Sequence, residues 1–448
     1  MMDKSLTLKM LESYQRSCET DSKLKLSRNA ATQNEITDLA MNWDKFRKID
    51  HSFSNIITGE MKITNQKSSG RCWGFAGLNL FRVYLGRKHN IRNFEFSQTY
   101  FMFWDKLEKS NYFLNSIIDT AESPSDSRIM MHLLESPIQD GGQWDMWVNL
   151  INKYGVVPKS EMPETYQSSQ SMSMNRMITR KLREFSKELR HSIKNNISIE
   201  DLYDLKNQMI STVYKMLVIH LGDPPTKFSW QTRDKKKNFI RFEDLTPQTF
   251  FKDHVSIDLS DLICLINCPM SDKKYKNIYS VEFLGNVIEG QPIRYLNAGI
   301  EILKKAAIAS IKNDDPVWFG CDVGKYLHRS HGVMDTNLFD FDLFYSTSFS
   351  LDKASRLEYG ESKMTHAMLF TGVDLDSKGV PQKWRVENSW GDRNGEKGFY
   401  IMSDEWFDEY LYEIVVNKKY LEDEYVKLYE EKEAKILPPW DPMGALAK

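Results

Sequence analysis

The sequence predicts an α+β fold of two halves, a helical half first and a strand-rich half last, with a further helical region and a β-hairpin between them. Three observations carry this. Apolar residues at three- and four-residue spacing recur from Gly74 and again over 174–217, the period of a helix with one buried face. Runs of apolar residues closed by turn residues follow Pro316, as strands do. Two alternating segments, Phe228-Ser-Trp-Gln-Thr and Phe239-Ile-Arg-Phe, flank Arg233-Asp-Lys-Lys-Lys-Asn and read as a hairpin with a basic connection.

Taken in order, Gly74-Phe-Ala-Gly-Leu-Asn-Leu-Phe reads as a helix that opens at Cys72. Asp140-Gly-Gly-Gln143 reads as a turn ahead of a helix from Trp144. Met174, Met177, Ile178, Leu182, Phe185, Leu189 and Ile193 share one helical face, and their methionines read as core filler. Ser198-Ile-Glu-Asp201 has the form of a helix start, and Leu202, Leu205, Met209, Val213 and Leu217 continue the apolar face until Asp223-Pro-Pro stops it. Thr246-Pro-Gln-Thr-Phe-Phe reads as a short helix and Leu262-Ile-Cys-Leu-Ile-Asn as a buried strand. A helix over 299–313 stops before Asp314-Asp-Pro, and Val317-Trp-Phe-Gly-Cys321 enters a sheet. Met364–Phe370 and Val386–Gly391 read as further strands.

At 448 residues the chain exceeds what one core holds, so two or three structural units are expected. The first residues contain no apolar run of signal-peptide length, and no segment reaches the roughly 18 to 20 apolar residues of a membrane span. A cytoplasmic location is expected, with no membrane partner. Five cysteines, Cys18, Cys72, Cys264, Cys268 and Cys321, are too sparse for a disulfide framework. Neither Cys264 with Cys268 nor His328 with His331 has a matching second pair, so no metal site is expected. A net charge of −2 excludes attraction of the whole protein to nucleic acid. Lys235, Lys236 and Lys237 form a local basic patch, readable as a weak nucleic-acid contact or as a solvated turn.

The chemistry centres on Gln66-Lys-Ser-Ser-Gly-Arg-Cys72-Trp73. A cysteine at a helix N-terminus meets free N–H groups and the positive dipole end, which favour thiolate. The Gln66 carboxamide and the Cys72 backbone N–H are candidates to hold the oxyanion of a tetrahedral intermediate. The partners lie far downstream: His366 can take and return the proton, and Asn388 can orient its ring without adding charge. Trp390 would shield that contact from water.

Cys, His and Asn in this order resemble the papain-like cysteine peptidases. The Gln-x-x-x-Gly-Arg-Cys-Trp form, Asp140-Gly-Gly-Gln143, Glu387-Asn-Ser-Trp-Gly391 and the terminal Trp440-Asp-Pro-Met-Gly-Ala-Leu-Ala-Lys448 are similar to the bleomycin hydrolase, or aminopeptidase C, branch. The resemblance implies a papain-like two-half core. Such cores place roughly 130 residues between nucleophile and base, whereas Cys72 and His366 lie 294 positions apart, so about 160 residues are inserted. The expected division is an N-terminal extension packing on the core (1–60), the helical half (61–165), a helical insertion (166–225), a hook-like hairpin insertion (226–290), the strand-rich half (291–430) and a C-terminal arm (431–448).

The resemblance further implies a cysteine aminopeptidase without cofactor, assembled as a homohexamer, acting on peptides or small amides with a free amino terminus. Bleomycin and homocysteine thiolactone are candidate substrates. Gly141 and Gly142 would let an extended peptide pair with their edge, or would simply form a turn. Secreted relatives carry a disulfide-bonded cysteine three residues before the nucleophile, where this chain has Ser69. The arm would enter the cleft and set the terminal carboxylate, on Ala447 or Lys448, against the substrate ammonium. A nucleic-acid-binding regulatory protein with incidental peptidase activity, or an endopeptidase with a passive tail, are the alternatives.

Overall fold

The computed structural model describes residues 4–447. A 12-stranded sheet runs through the described residues. Its centre is the strand His366–Leu375, antiparallel to Val317–Cys321 on one side and to Pro381–Glu387 on the other. Leu411–Asn417 continues the sheet beyond Val317–Cys321, and Phe399–Ser403 continues it beyond Pro381–Glu387.

Val317–Cys321 and most of His366–Leu375 bury both faces, so they read as near-continuous apolar runs. Alternate residues serve two cores. Trp318, Ala367, Leu369 and Val415 face the helical half. Phe319, Met368, Phe370 and Ile414 face the helix Ile300–Lys312. Phe319 and Phe370 stack at 3.9 Å between ring centroids.

The helical half is built on Cys72–Lys88, which is buried almost all round, and on Gln98–Asp119 and Trp144–Tyr154. Two long helices, Met172–Lys194 and Ile199–Leu221, pack on Gln98–Asp119. The Ser198 side chain caps the second, accepting the Asp201 N–H. Phe228–Arg233 and Phe239–Leu245 form the hairpin, and Thr246 closes a capping box on Pro247–Phe250.

Two expectations change. The main sheet takes up Leu262–Ile266 and Asn277–Val281, so the segment 226–290 is not all hook: the buried run at 262 pairs with Leu411–Asn417 because it has no polar face to leave in water. The extension over 1–60 packs only in part. Ala40 and Met41 are buried and Asn55–Ile56 pairs with Gly372 and Val373. Helices Leu8–Thr20 and Ser22–Ala31 bury no residue.

The arm begins as a strand, Ala434–Leu437, parallel to Asn277–Val281. After Pro438 and Pro439 the chain makes a 3-10 turn over Pro442–Ala447. Asp441 pairs with the buried Lys273 at 3.0 Å, and Met443 and Leu446 join the core that contains Cys72, Trp73 and Ala367. No helix among the described residues is long and apolar enough to cross a membrane.

Candidate active site

Cys72 is the first residue of its helix, and no side chain caps that terminus. The N–H groups of Cys72 and Trp73 therefore remain free to face the thiol, and the Ala367 N–H reaches the same sulfur from the central strand. Ala367 follows His366, so this contact sets the imidazole beside the nucleophile's helix. The Trp318 indole N–H donates to the Trp73 carbonyl at 3.2 Å and fastens that helix to the sheet.

His366 Nε2 lies 3.0 Å from Asn388 Oδ1, which also accepts the Ser389 N–H at 2.7 Å. An oxygen that accepts a backbone N–H makes Nε2 the donor, which leaves Nδ1 without a proton. Trp390 covers the ring at 4.7 Å between centroids, and the Arg329 guanidinium lies over Trp390 at 4.5 Å.

Burial pushes the Cys72 thiol up to about 11, against the three backbone N–H groups that favour its anion. Burial pulls the His366 imidazolium down to about 4, against the Asn388 hydrogen bond. Burial in this closed cleft thus works against the helix terminus, the one influence on the thiol that the sequence reading weighed.

Gln66 is locked into the same site. Its carboxamide oxygen accepts the Ser389 hydroxyl at 2.7 Å, its Nε2 donates to the Ser69 carbonyl at 2.6 Å, and its backbone N–H meets the Ser389 carbonyl at 2.8 Å. One amide hydrogen remains for another acceptor. Sequence reasoning missed Ser389, although it lies inside the Glu387–Gly391 motif. It also missed Arg71, whose guanidinium is bidentate to Glu164 at 3.0 and 2.8 Å and donates to the Ser69 hydroxyl at 2.9 Å.

Gly141 and Gly142 are buried beside this site. A Cβ on Gly142 would come within 2.5 Å of the Trp73 indole, so a close approach within the chain itself demands glycine there. Lys109 Nζ donates to the Gly141 carbonyl at 2.5 Å. The arm borders a cavity of about 440 Å³ lined by Lys109, His132, Gln139, Lys363 and Trp440 among others. Ala447 is the last residue of the 3-10 turn, and Lys448 lies outside the described residues.

Lys235, Lys236 and Lys237 are exposed at the hairpin tip, where the Lys235 N–H donates to the Asn90 carbonyl just past the C-terminal end of the helix that Cys72 opens. Cys264 sits in the strand Leu262–Ile266 and donates its thiol to Glu413 at 2.9 Å. His328 faces Asp38 at 3.3 Å. No cluster of metal-ligating side chains occurs among the described residues.

A helical half, a strand-rich half, and a thiol, an imidazole and two carboxamides brought together between them define the class: a papain-like cysteine peptidase. The Peptidase C1-like family model matches residues 5–444, and the chain belongs to that family. It is 43% identical over 437 residues to the bleomycin hydrolase of Homo sapiens, covering 96% of each chain. It is 42% identical over 446 residues to the aminopeptidase C of Listeria innocua, covering 100% of each. The crystal structure of PepW from Lactobacillus rhamnosis HN001 superposes with a TM-score of 0.97 at 44% identity over 99% of both chains.

Proposed function

We propose that this chain is a cysteine aminopeptidase in which Cys72 attacks the carbonyl, His366 moves the proton, Asn388 holds the ring and Gln66 holds the oxyanion. The observation that carries this is the shared anchoring of the two carboxamides: Asn388 is fixed on His366 while Ser389, the next residue, fixes Gln66. Nδ1 of His366 takes the thiol proton as sulfur adds to the carbonyl, then gives it to the leaving amine. The acyl-thioester is next hydrolysed by a water that the same nitrogen activates. The Gln66 amide hydrogen and the Cys72 N–H stabilise both tetrahedral intermediates.

The arm supplies the preference for a free amine. Its root is a sheet strand and its last described turn packs into the same core as Cys72, which supports an arm that reaches toward the cleft on the side of residues preceding the scissile bond. A terminal carboxylate there pairs with a substrate ammonium. Peptides, the amide of bleomycin and homocysteine thiolactone all present an acyl carbon to this chemistry.

The assembly is a homohexamer in the cytoplasm. Leu26 and Leu343 are 72% and 68% exposed on neighbouring segments, joined where the Ser27 hydroxyl donates to the Phe344 carbonyl, and such an apolar surface is covered by another copy. Lys235, Lys236 and Lys237 would repeat around the ring as a weak nucleic-acid contact.

The test compares the wild type and Cys72→Ala on an aminoacyl anilide and on its N-blocked form. Hydrolysis of the free-amine reporter alone, abolished in the variant and by iodoacetamide, is the expected result. Activity that survives Cys72→Ala refutes the assignment.

A further inference from the structure

Asp140 is the meeting point of three segments. Its Oδ2 accepts the Gly70 N–H at 2.9 Å and the Ser171 hydroxyl. Its Oδ1 accepts Lys106 Nζ and Asn175 Nδ2, each at 2.7 Å. Its backbone carbonyl accepts the Trp73 indole N–H at 2.6 Å. All four partners of the carboxylate are donors, so an ionised acceptor is the one group that satisfies them together. Burial raises this carboxyl, but the charge of Lys106 and the bonds from Lys106, Ser171 and Asn175 outweigh it and hold the group well below the usual carboxylate range.

Gly70 lies inside the turn from Gln66 to Cys72. A Cβ placed on it would stand 2.8 Å from the Asp140 Cβ, so the Asp140 side chain packs directly on the Gly70 backbone. Arg71, on the other side of Gly70, ties the same turn to Glu164. The turn that presents the oxyanion donors is therefore clasped from both sides, and Ser69, where secreted relatives carry a disulfide, lies within it. Asn175 belongs to the helix Met172–Lys194, and Ser171 precedes it. Both come from the region that separates nucleophile and base in the sequence.

We propose that Asp140 is a positioning residue for hydrolysis: through Gly70 it fixes the Gln66–Cys72 turn in place of the missing bridge, and the inserted helix, through Asn175 and Ser171, fixes Asp140. The proposal rests on the roles given above to Cys72 and Gln66. It couples the inserted helices to the chemistry presented by the Gln66–Cys72 turn.

Two reactions of the same sulfur separate positioning from mere structure. Hydrolysis of an aminoacyl anilide passes through an oxyanion. Alkylation by iodoacetamide does not: the sulfur displaces iodide at a methylene carbon, forming the S–C bond and releasing iodide, with the thiol proton going to His366. Asp140→Asn presents an amide NH₂ to two of the four donors, so the turn shifts. Expected is a kcat lower by roughly 10- to 100-fold, a KM within about threefold and an alkylation rate within about twofold of wild type. Asn175→Ala, which removes one outlying bond, should lower kcat about 3- to 10-fold with alkylation unchanged. This variant keeps the test open if Asp140→Asn does not fold. Equal losses in both reactions, or a wild-type kcat in Asn175→Ala, overturn the proposal. Wild-type activity that resists iodoacetamide would instead overturn the nucleophile assignment.

Discussion

Arg82 and Glu387 form an ion pair at 2.6 Å with both side chains essentially fully buried. Arg82 stands on the helix that begins with Cys72, and Glu387 ends the strand that leads into Asn388. The pair thus joins the segments that carry the nucleophile and the orienting amide. Arg82 also donates to the Lys62 carbonyl at 2.8 Å, just ahead of the Gln66 turn.

Removing one partner of this pair leaves the other buried alone. Arg82→Met should cost about 3–5 kcal/mol of unfolding free energy, measured in denaturant, because the carboxylate loses its compensation. Arg82→Met combined with Glu387→Met should recover much of the loss. An additive double variant would show that the two side chains stabilise the fold independently.

The His366 imidazolium lies well below its ordinary value of 6.5, so the folded protein binds that proton less readily than the unfolded chain. Stability from this group is full above about pH 6.5 and is lost as pH falls through about 4. The base stays unprotonated over the same window, so the acid limb of kcat/KM should have its midpoint near pH 4. Asn388→Ala removes the bond that supports the imidazolium and should move the limb lower while reducing kcat about tenfold or more. A midpoint near 6.5 in the wild type would contradict the downward pull of burial on His366.

Glu413 shows the opposite sign. Burial pushes its carboxyl up to about 8, and one of its oxygens has no hydrogen-bond partner. The folded state holds the proton that the unfolded chain releases near 4.5, so stability falls as pH rises from about 4.5 through 8. Glu413→Gln cannot ionise. Its melting temperature relative to wild type should therefore be higher at pH 8 than at pH 5 by about 3 °C or more. An offset independent of pH would mean the carboxyl is ionised in the fold.

Truncation after Asp441 removes Met443 and Leu446 from the Cys72 core. Discrimination against N-blocked substrates should fall about tenfold or more, and cleavage inside longer peptides should appear. Unaltered selection for a free amino terminus would leave the arm a packing role only.

The site was legible where chemistry fixes residue types at fixed spacing: Gln66 six residues before Cys72, and Trp390 two residues after Asn388. Helices were legible where one face is apolar, as with Met174, Ile178, Leu182 and Leu189, all buried. What escaped the sequence depends on contacts between distant segments. Nothing near Leu262 in the chain says that its strand pairs with Leu411–Asn417, nor does Asp140 reveal that Gly70 and Asn175 will converge on it. The burial that opposes the Cys72 anion escaped for a related reason, since local helix position is readable and the depth of burial is not.

The contact between Gly70 and Asp140 is made of nitrogen, hydrogen and oxygen, and reducing agents act on sulfur. Dithiothreitol at any strength that keeps Cys72 free of oxidation should leave this joint closed. Acid strong enough to protonate Asp140 is what would open it, since Lys106 is buried beyond the reach of dissolved salt.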